Sequence, residues 1–201
     1  MLYHYIKCYL ISTGLKICRL PNPNDISAQA EVLCRDFIYY KLKKQSLLSL
    51  KLELIIGQST RFRPGGLSLE IISLATELER MYPELYQNVS KQVLLTMSSA
   101  DVVTRIMTSV ADVLYVTERD ITWGRVIALF ALAGAIATDC VKQGQAKLVK
   151  VVIETFRDIV NEKLLGWMII RGGWVSSHFF AFRFFKMDFH RFRFLFVEFI
   201  T

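Results

Sequence analysis

Ile121-Thr122-Trp123-Gly124-Arg125 leads directly into Val126-Ile127-Ala128-Leu129-Phe130-Ala131-Leu132-Ala133-Gly134-Ala135-Ile136-Ala137-Thr138, a run of thirteen residues without a charge that ends at Asp139. The run is apolar on every helical face, which predicts a helix buried on all sides at the centre of an all-α bundle. It is shorter than the roughly 20 apolar residues that a membrane-spanning helix needs. Arg125 is unexpected here, because the helix dipole disfavours a cation at a helix N-terminus. Since no local carboxylate is an obvious partner, one explanation is that the partner comes from another molecule.

The composition limits the class of protein. The chain has 201 residues, a hydrophobic fraction of 53% and a net charge of +7, which fits one folded domain with a sizeable core. The positive charge favours solubility or attraction to an anionic surface such as lipid. Because no known nucleic-acid-binding motif is present, we do not expect nucleic acid as a partner. Widely spaced cysteines predict reduced thiols in an intracellular protein. No catalytic, cofactor or metal-ligand motif is present, so we expect a non-enzymatic protein without cofactor or metal.

Apolar periodicity predicts four further helices. Their predicted ranges are 27–44, from 67 onward, 101–116 and 146–170. Asp25 or Ser27 is expected to cap the first helix and Asp120 or Thr122 the central one. Residues 45–60 are ambiguous, and Pro83 is expected to kink or restart the second helix. The predicted layout is an N-terminal segment 1–24, a helical domain 25–176 and a basic aromatic tail 177–201.

Leu67, Ile71, Leu74 and Leu78 recur at spacings of four, three and four, so they share one face of a helix. Such a stripe is more often part of a core than a ligand for a partner. Trp123 and Trp174 are likewise most simply large anchors of the core.

Four motifs resemble those of the Bcl-2 family of apoptosis regulators, and they occur in the order found in that family. They lie at residues 30–37, 67–78, 121–125 and 171–174. Within the family the chain is most similar to the Bok branch, which also has threonine at the position of Thr122. Asp139-Cys140-Val141, at the end of the central helix, is similar to that branch as well.

The resemblance implies a Bcl-2-like bundle of about eight helices around a hydrophobic central helix. It also implies a surface groove that binds the amphipathic BH-three helix of a partner. In this chain the groove residues would be Met107, Val110, Leu114, Trp123, Gly124 and Arg125. Arg125 would pair with the aspartate of the partner helix, and Gly124 would let the partner's backbone approach closely. The chain's own BH-three-like helix would present Leu67, Ile71, Leu74 and Leu78.

The chain departs from the family pattern at Ala75-Thr76, where killer members have Gly-Asp. Thr76 offers no carboxylate, and loss of one side of a desolvated charge pair costs about 2–5 kcal/mol. A poor ligand with an intact groove favours a pro-survival protein that sequesters BH-three-containing relatives (Bak-, Bax- or BH-three-only-like). The Bok-like motifs favour the alternative, an effector that permeabilises the mitochondrial outer membrane. A module of the same fold without a role in cell death is a third option. We take the pro-survival function as the working hypothesis, in the cytosol and at the mitochondrial outer membrane or endoplasmic reticulum surface.

The carboxyl-terminal tail also departs from the family, whose members often end in an apolar anchor. Ten phenylalanines are interrupted by charges, so no uncharged run approaches the length of an anchor. A basic aromatic segment of this kind suits a membrane interface with anionic lipid. The candidate membrane contacts are Phe184, Phe185, Arg191, Phe192 and Arg193. The open alternative is an atypical terminus without a membrane role.

Overall fold

The computed structural model describes residues 22–57, 65–92, 96–117 and 121–176, and every regular element within these ranges is helical. The helices are α1 (Pro23–Lys44), α2 (Leu50–Ile56), α3 (Gly66–Met81), α4 (Pro83–Tyr86), α5 (Val89–Gln92), α6 (Ala100–Leu114), α7 (Trp123–Lys142), α8 (Leu148–Ile159) and α9 (Leu165–Ile170). A π-helical turn, Val160–Leu164, joins α8 to α9, and a 3-10 turn follows at Gly173–Ser176.

Helix α7 is the centre of the bundle. Sixteen of its 20 residues are buried, and α1, α3, α6 and α8 pack around it. At its middle, the fully buried ring of Phe130 lies 4.4 Å from the ring of Phe156 on α8 and 5.9 Å from that of Trp174, measured between centroids. The predicted all-α bundle with a hydrophobic central helix is therefore confirmed.

The length of α7 differs from the expectation. The uncharged run has only thirteen residues, whereas the helix has 20 residues and a length of about 30 Å. With a mean hydropathy of 1.7, it is long and apolar enough to cross a membrane by length and composition alone. In this structure 83% of the apolar stretch is buried, as in the core helix of a bundle.

The ends of α7 follow local sequence signals. Thr122 is the N-cap, and its hydroxyl accepts a hydrogen bond from the backbone N–H of Arg125 at 3.3 Å. Gly144, with φ of 77°, lies in the turn that leads to α8. Pro83 restarts the helix after Met81, as predicted.

The start of α1 and the presence of α2 were not predicted. Asn22, and neither Asp25 nor Ser27, is the N-cap of α1, and its side chain accepts from the N–H of Asn24 at 3.0 Å. Pro23 explains the earlier start, because proline suits the first helical position, where the N–H has no partner within the helix. The ambiguous stretch 45–60 contains α2, which is capped by the hydroxyl of Ser49.

Helices α1 and α7 approach closely at Gly134. A β-carbon at this position would lie 2.5 Å from Cε1 of Phe37 and 2.9 Å from Cδ of Lys41. The missing side chain therefore lets α1 lie against the central helix. Cys34 on α1 and Cys140 on α7 are buried free thiols, and burial raises the pKa of the Cys34 thiol well above its ordinary value.

Candidate functional site

The BH-three-like stripe lies on α3 and faces the interior of the bundle. Ile71 and Leu78 are buried, while Leu67 and Leu74 are half-buried and pack against the core. The stripe borders a narrow apolar cleft against the amino-terminal end of α7 and the indole of Trp174. The cleft is lined by Leu67, Glu70, Ile71, Leu74, Trp123, Val126, Ile127 and Trp174. In this conformation the chain's own bundle occupies the face of α3 that a partner groove would receive.

Two polar contacts tie α3 to α1. Near the beginning of α3, the hydroxyl of Ser68 donates to Oδ2 of the buried Asp36 at 2.6 Å. Near its end, Nζ of Lys41 lies 2.6 Å from Oε1 of Glu79. Burial lowers the pKa of the Lys41 ammonium and raises the pKa of the Glu79 carboxyl, each partly offset by the charge of the other group. The ion pair is therefore made at a desolvated position.

Sequence reasoning missed both ties, although one signal was present. Phe37 and Lys41 are four residues apart on α1, so the lysine continues the buried stripe that includes Leu33 and Phe37. A lysine in an apolar register of a helix needs a buried anion, because an unpaired charge is costly to bury. Spacing along α1 cannot show that Glu79 of α3 supplies that anion.

The predicted groove residues on α6 also face inward. Met107, Val110 and Leu114 are between 0% and 3% exposed, and Trp123 at the start of α7 is 6% exposed. The structure places Trp123 in an aromatic cluster, with its ring centroid 5.0 Å from that of Trp167 and 6.1 Å from that of Trp174. These side chains are buried in the core, so a partner helix reaches them only if the neighbouring helices move apart.

Arg125 bridges two helix ends. Its guanidinium donates to the backbone carbonyl of Leu114 at 2.7 Å, at the carboxyl end of α6, where the helix dipole favours a cation. The hydroxyl of Tyr115 donates in turn to the carbonyl of Arg125 at 3.0 Å. Burial raises the pKa of that tyrosine, while the positive charge of Arg125 lowers it in part.

Within the bundle the guanidinium of Arg125 therefore has a backbone carbonyl as a hydrogen-bond partner, and its pairing with the aspartate of a partner helix stays a prediction. The backbone of Arg125 lies in the first turn of α7, but its charge lies at the end of α6. Gly124 precedes it, half-buried, in the same turn of α7. The structure thus brings Leu114, Trp123, Gly124 and Arg125 together at the junction of α6 and α7, with Met107 and Val110 farther along α6.

The tail candidates Phe184, Phe185, Arg191, Phe192 and Arg193 lie outside the described residues. Their membrane contact therefore stays a prediction.

Three comparisons with known proteins identify the family. A family profile described as "Apoptosis regulator proteins, Bcl-2 family" matches residues 71–174. The Bcl-2-related ovarian killer protein homolog A of Danio rerio is 31% identical over 171 residues, which cover 79% of this chain and 74% of the relative. The crystal structure of chicken BOK matches with a TM-score of 0.68 and 28% identity over 79% of this chain and 97% of that one.

A third match shows the fold alone. The crystal structure of the zebrafish pro-survival protein NRZ:Bad BH-three complex has a TM-score of 0.54 and 18% identity, covering 77% of this chain and 96% of that one. The same bundle is therefore found in proteins described as killers and as pro-survival proteins, and the fold by itself does not separate the two functions. On the family profile and the ovarian killer match, the chain belongs to the Bcl-2 family of apoptosis regulators.

Proposed function

We propose that this protein is a pro-apoptotic effector that permeabilises the mitochondrial outer membrane, with the endoplasmic reticulum membrane as a second candidate location. The observation that carries the proposal is the similarity to an ovarian killer protein at 31% identity over 79% of the chain. The likeness to a pro-survival protein, at 18% identity, supports only the fold. The effector function thus replaces the pro-survival function as the first choice.

An opening of the bundle is the central step of this proposal. Ile71 and Leu78 of the stripe on α3 and most of α7 are buried, so these side chains do not reach lipid or another protein while the bundle is closed. Opening exposes apolar surface that is unfavourable in water and is accepted by a bilayer or by a second copy of the chain. We place the first movement between α3 and α1, because the contacts that tie them include a desolvated ion pair, which adds little net stability.

A reversible lock between α1 and α3 tests this step. In Asp36→Cys/Ser68→Cys, two thiols replace side chains that now share a 2.6 Å hydrogen bond, and a disulfide between them would hold the helices together. Dye release from anionic liposomes is measured with the same preparation before and after reduction. The Ser68→Cys single variant is the matched control, because it lacks the second introduced thiol.

The expected result is leakage by the wild-type chain without an activator, little leakage by the oxidised double variant, and recovery after reduction. With the introduced disulfide verified by mass spectrometry, equal leakage from the oxidised and reduced forms would refute the opening of α1 from α3. A wild-type chain that releases no dye under any of these conditions would refute the effector function itself.

A pro-survival function remains the second candidate because of Thr76, which offers no carboxylate where killer members have aspartate. On this proposal the partners are BH-three-containing relatives, and Arg125 leaves the carbonyl of Leu114 to pair with the partner's aspartate. Calorimetric titration with a BH-three peptide and its Asp→Ala variant is the test. Tight binding that depends on the peptide's aspartate would favour this function, and equal binding of both peptides would exclude the proposed pairing.

A further inference from the structure

Helix α2 has one buried apolar face and, opposite to it, one exposed apolar face. Leu52 and Ile56 are buried, at 1% and 2% exposure, and fix the helix to the bundle. Leu50 and Leu54 are 78% and 83% exposed, the highest values among the large hydrophobic side chains of the described residues. The two leucines are four residues apart, so they project from one side of the helix. The side chain of Ser49 caps α2 at its beginning, and Gly57, with φ of 74°, ends it.

The same stretch is strongly basic at its surface. Between Lys43 and Gly57 the chain exposes Lys43, Lys44 and Lys51. The one carboxylate in this stretch belongs to Glu53, which is 9% exposed and accepts a hydrogen bond from the hydroxyl of Tyr39 at 3.0 Å. We call Leu50, Leu54 and the three lysines the leucine–lysine surface. It combines exposed apolar groups and positive charge without an exposed carboxylate.

A single exposed leucine is ordinary on a protein surface. Here, however, two leucines share one helical face, and every exposed charge in the stretch from Lys43 to Gly57 is positive. This combination is typical of an element that rests in a membrane interface, where apolar side chains enter the acyl boundary and lysines meet lipid phosphates. An anionic bilayer satisfies both parts of the leucine–lysine surface.

We propose that α2 docks the protein on anionic lipid, with Leu50 and Leu54 inserted below the headgroups and the lysines against the phosphates. The buried face of α2 already holds the helix in place, so docking does not require the helix to fold at the membrane. The proposal concerns attachment and not leakage. It therefore stands or falls independently of the effector function, and it involves neither the groove residues nor the tail 177–201.

Cosedimentation of the full chain with phosphatidylcholine vesicles, containing or lacking phosphatidylserine, measures the attachment. The Leu50→Gln/Leu54→Gln variant is expected to lower the partition coefficient on anionic vesicles about tenfold, because two apolar insertions are lost. The Lys44→Gln/Lys51→Gln variant is expected to lower it by a similar factor and to weaken its dependence on salt. Both pairs of side chains are exposed, so thermal unfolding should show an intact fold.

The matched control is Val32→Gln/Val116→Gln, which removes two apolar side chains that are 45% and 70% exposed elsewhere on the bundle. Its partitioning should equal that of the wild type. Wild-type partitioning by the leucine variant would overturn the proposal and assign lipid binding to another part of the chain. An equal loss in the control variant would also overturn it, since the effect would then follow general surface hydrophobicity. Equal binding to vesicles without phosphatidylserine would contradict the role of the lysines.

Discussion

The buried pair of Lys41 and Glu79 gives the sharpest test of how α3 is held. The Lys41 side chain is 8% exposed and that of Glu79 is 20% exposed. In Lys41→Met the hydrocarbon part of the side chain is kept beside Gly134, so the variant mainly removes the charge. Breaking a buried pair from one side costs about 3–5 kcal/mol. Because one fifth of the Glu79 side chain is exposed, we expect the lower end, about 3 kcal/mol of unfolding free energy.

The double variant Lys41→Met/Glu79→Leu removes both charges and both desolvation costs. Its unfolding free energy should lie within about 1 kcal/mol of the wild-type value, or exceed it. Urea unfolding of the wild type, the single variant and the double variant at neutral pH gives the comparison. A single variant that loses under about 1 kcal/mol would refute the argument, and so would a double variant that loses as much as the single one.

The same pair sets a dependence on pH. Burial raises the folded-state pKa of Glu79 above its value in the unfolded chain, so its favourable contribution is present at low pH and is lost as pH rises through the folded-state pKa. Without the ammonium of Lys41, the carboxyl takes up a proton more readily. The destabilisation caused by Lys41→Met should therefore be smaller at acidic than at neutral pH, and a loss that grows on acidification would contradict this sign.

Two further substitutions probe the central helix. Gly134→Ala would bring its new methyl group to 2.5 Å from Phe37. The overpacking should lower the unfolding free energy by about 1–3 kcal/mol and lower the melting temperature. An unchanged melting temperature would mean that α1 shifts without a loss of stability. Arg125→Ala removes the 2.7 Å hydrogen bond to the carbonyl of Leu114 and should lower the unfolding free energy in urea by about 1.5 kcal/mol. The companion variant is Tyr115→Phe, which removes the hydrogen bond from the Tyr115 hydroxyl to the carbonyl of Arg125. An unfolding free energy of Arg125→Ala equal to that of the wild type would show that the arginine does not hold α6 and α7 together.

Much of the fold follows from short-range patterns. A run of thirteen uncharged residues is apolar on every face, and burial on every face follows from that property alone. Thr122 and Pro83 act through backbone chemistry within a few residues, so their effects on helix boundaries were predicted. At α1 the same reasoning chose Asp25 or Ser27 over Asn22, although Pro23 suits the first helical position after an Asn22 cap.

The site was harder to predict because its geometry depends on pairs far apart in the sequence. Periodicity placed Val110, Leu114 and the stripe of α3 on apolar faces, but an apolar face packs equally well on a partner or on its own bundle. Arg125 shows the same limit: its sequence position gives the start of α7, while the direction of its long side chain brings the charge to the end of α6. Only the packing of one helix on another decides between these outcomes.

The polar contacts between α3 and α1 fix the alignment of α3 more than they add to its stability. Apolar side chains at the positions of Lys41 and Glu79 would pack into the core without a desolvation cost. The ion pair, in contrast, gives little net stability and requires one alignment of α3 on α1. The hydrogen bond from Ser68 to Asp36 imposes the same alignment at the other end of the helix. We infer that these two contacts set the position of α3, while its apolar residues in the core provide most of its attachment. On the proposed effector function, such contacts would keep the closed form well defined while adding little to the free energy of opening.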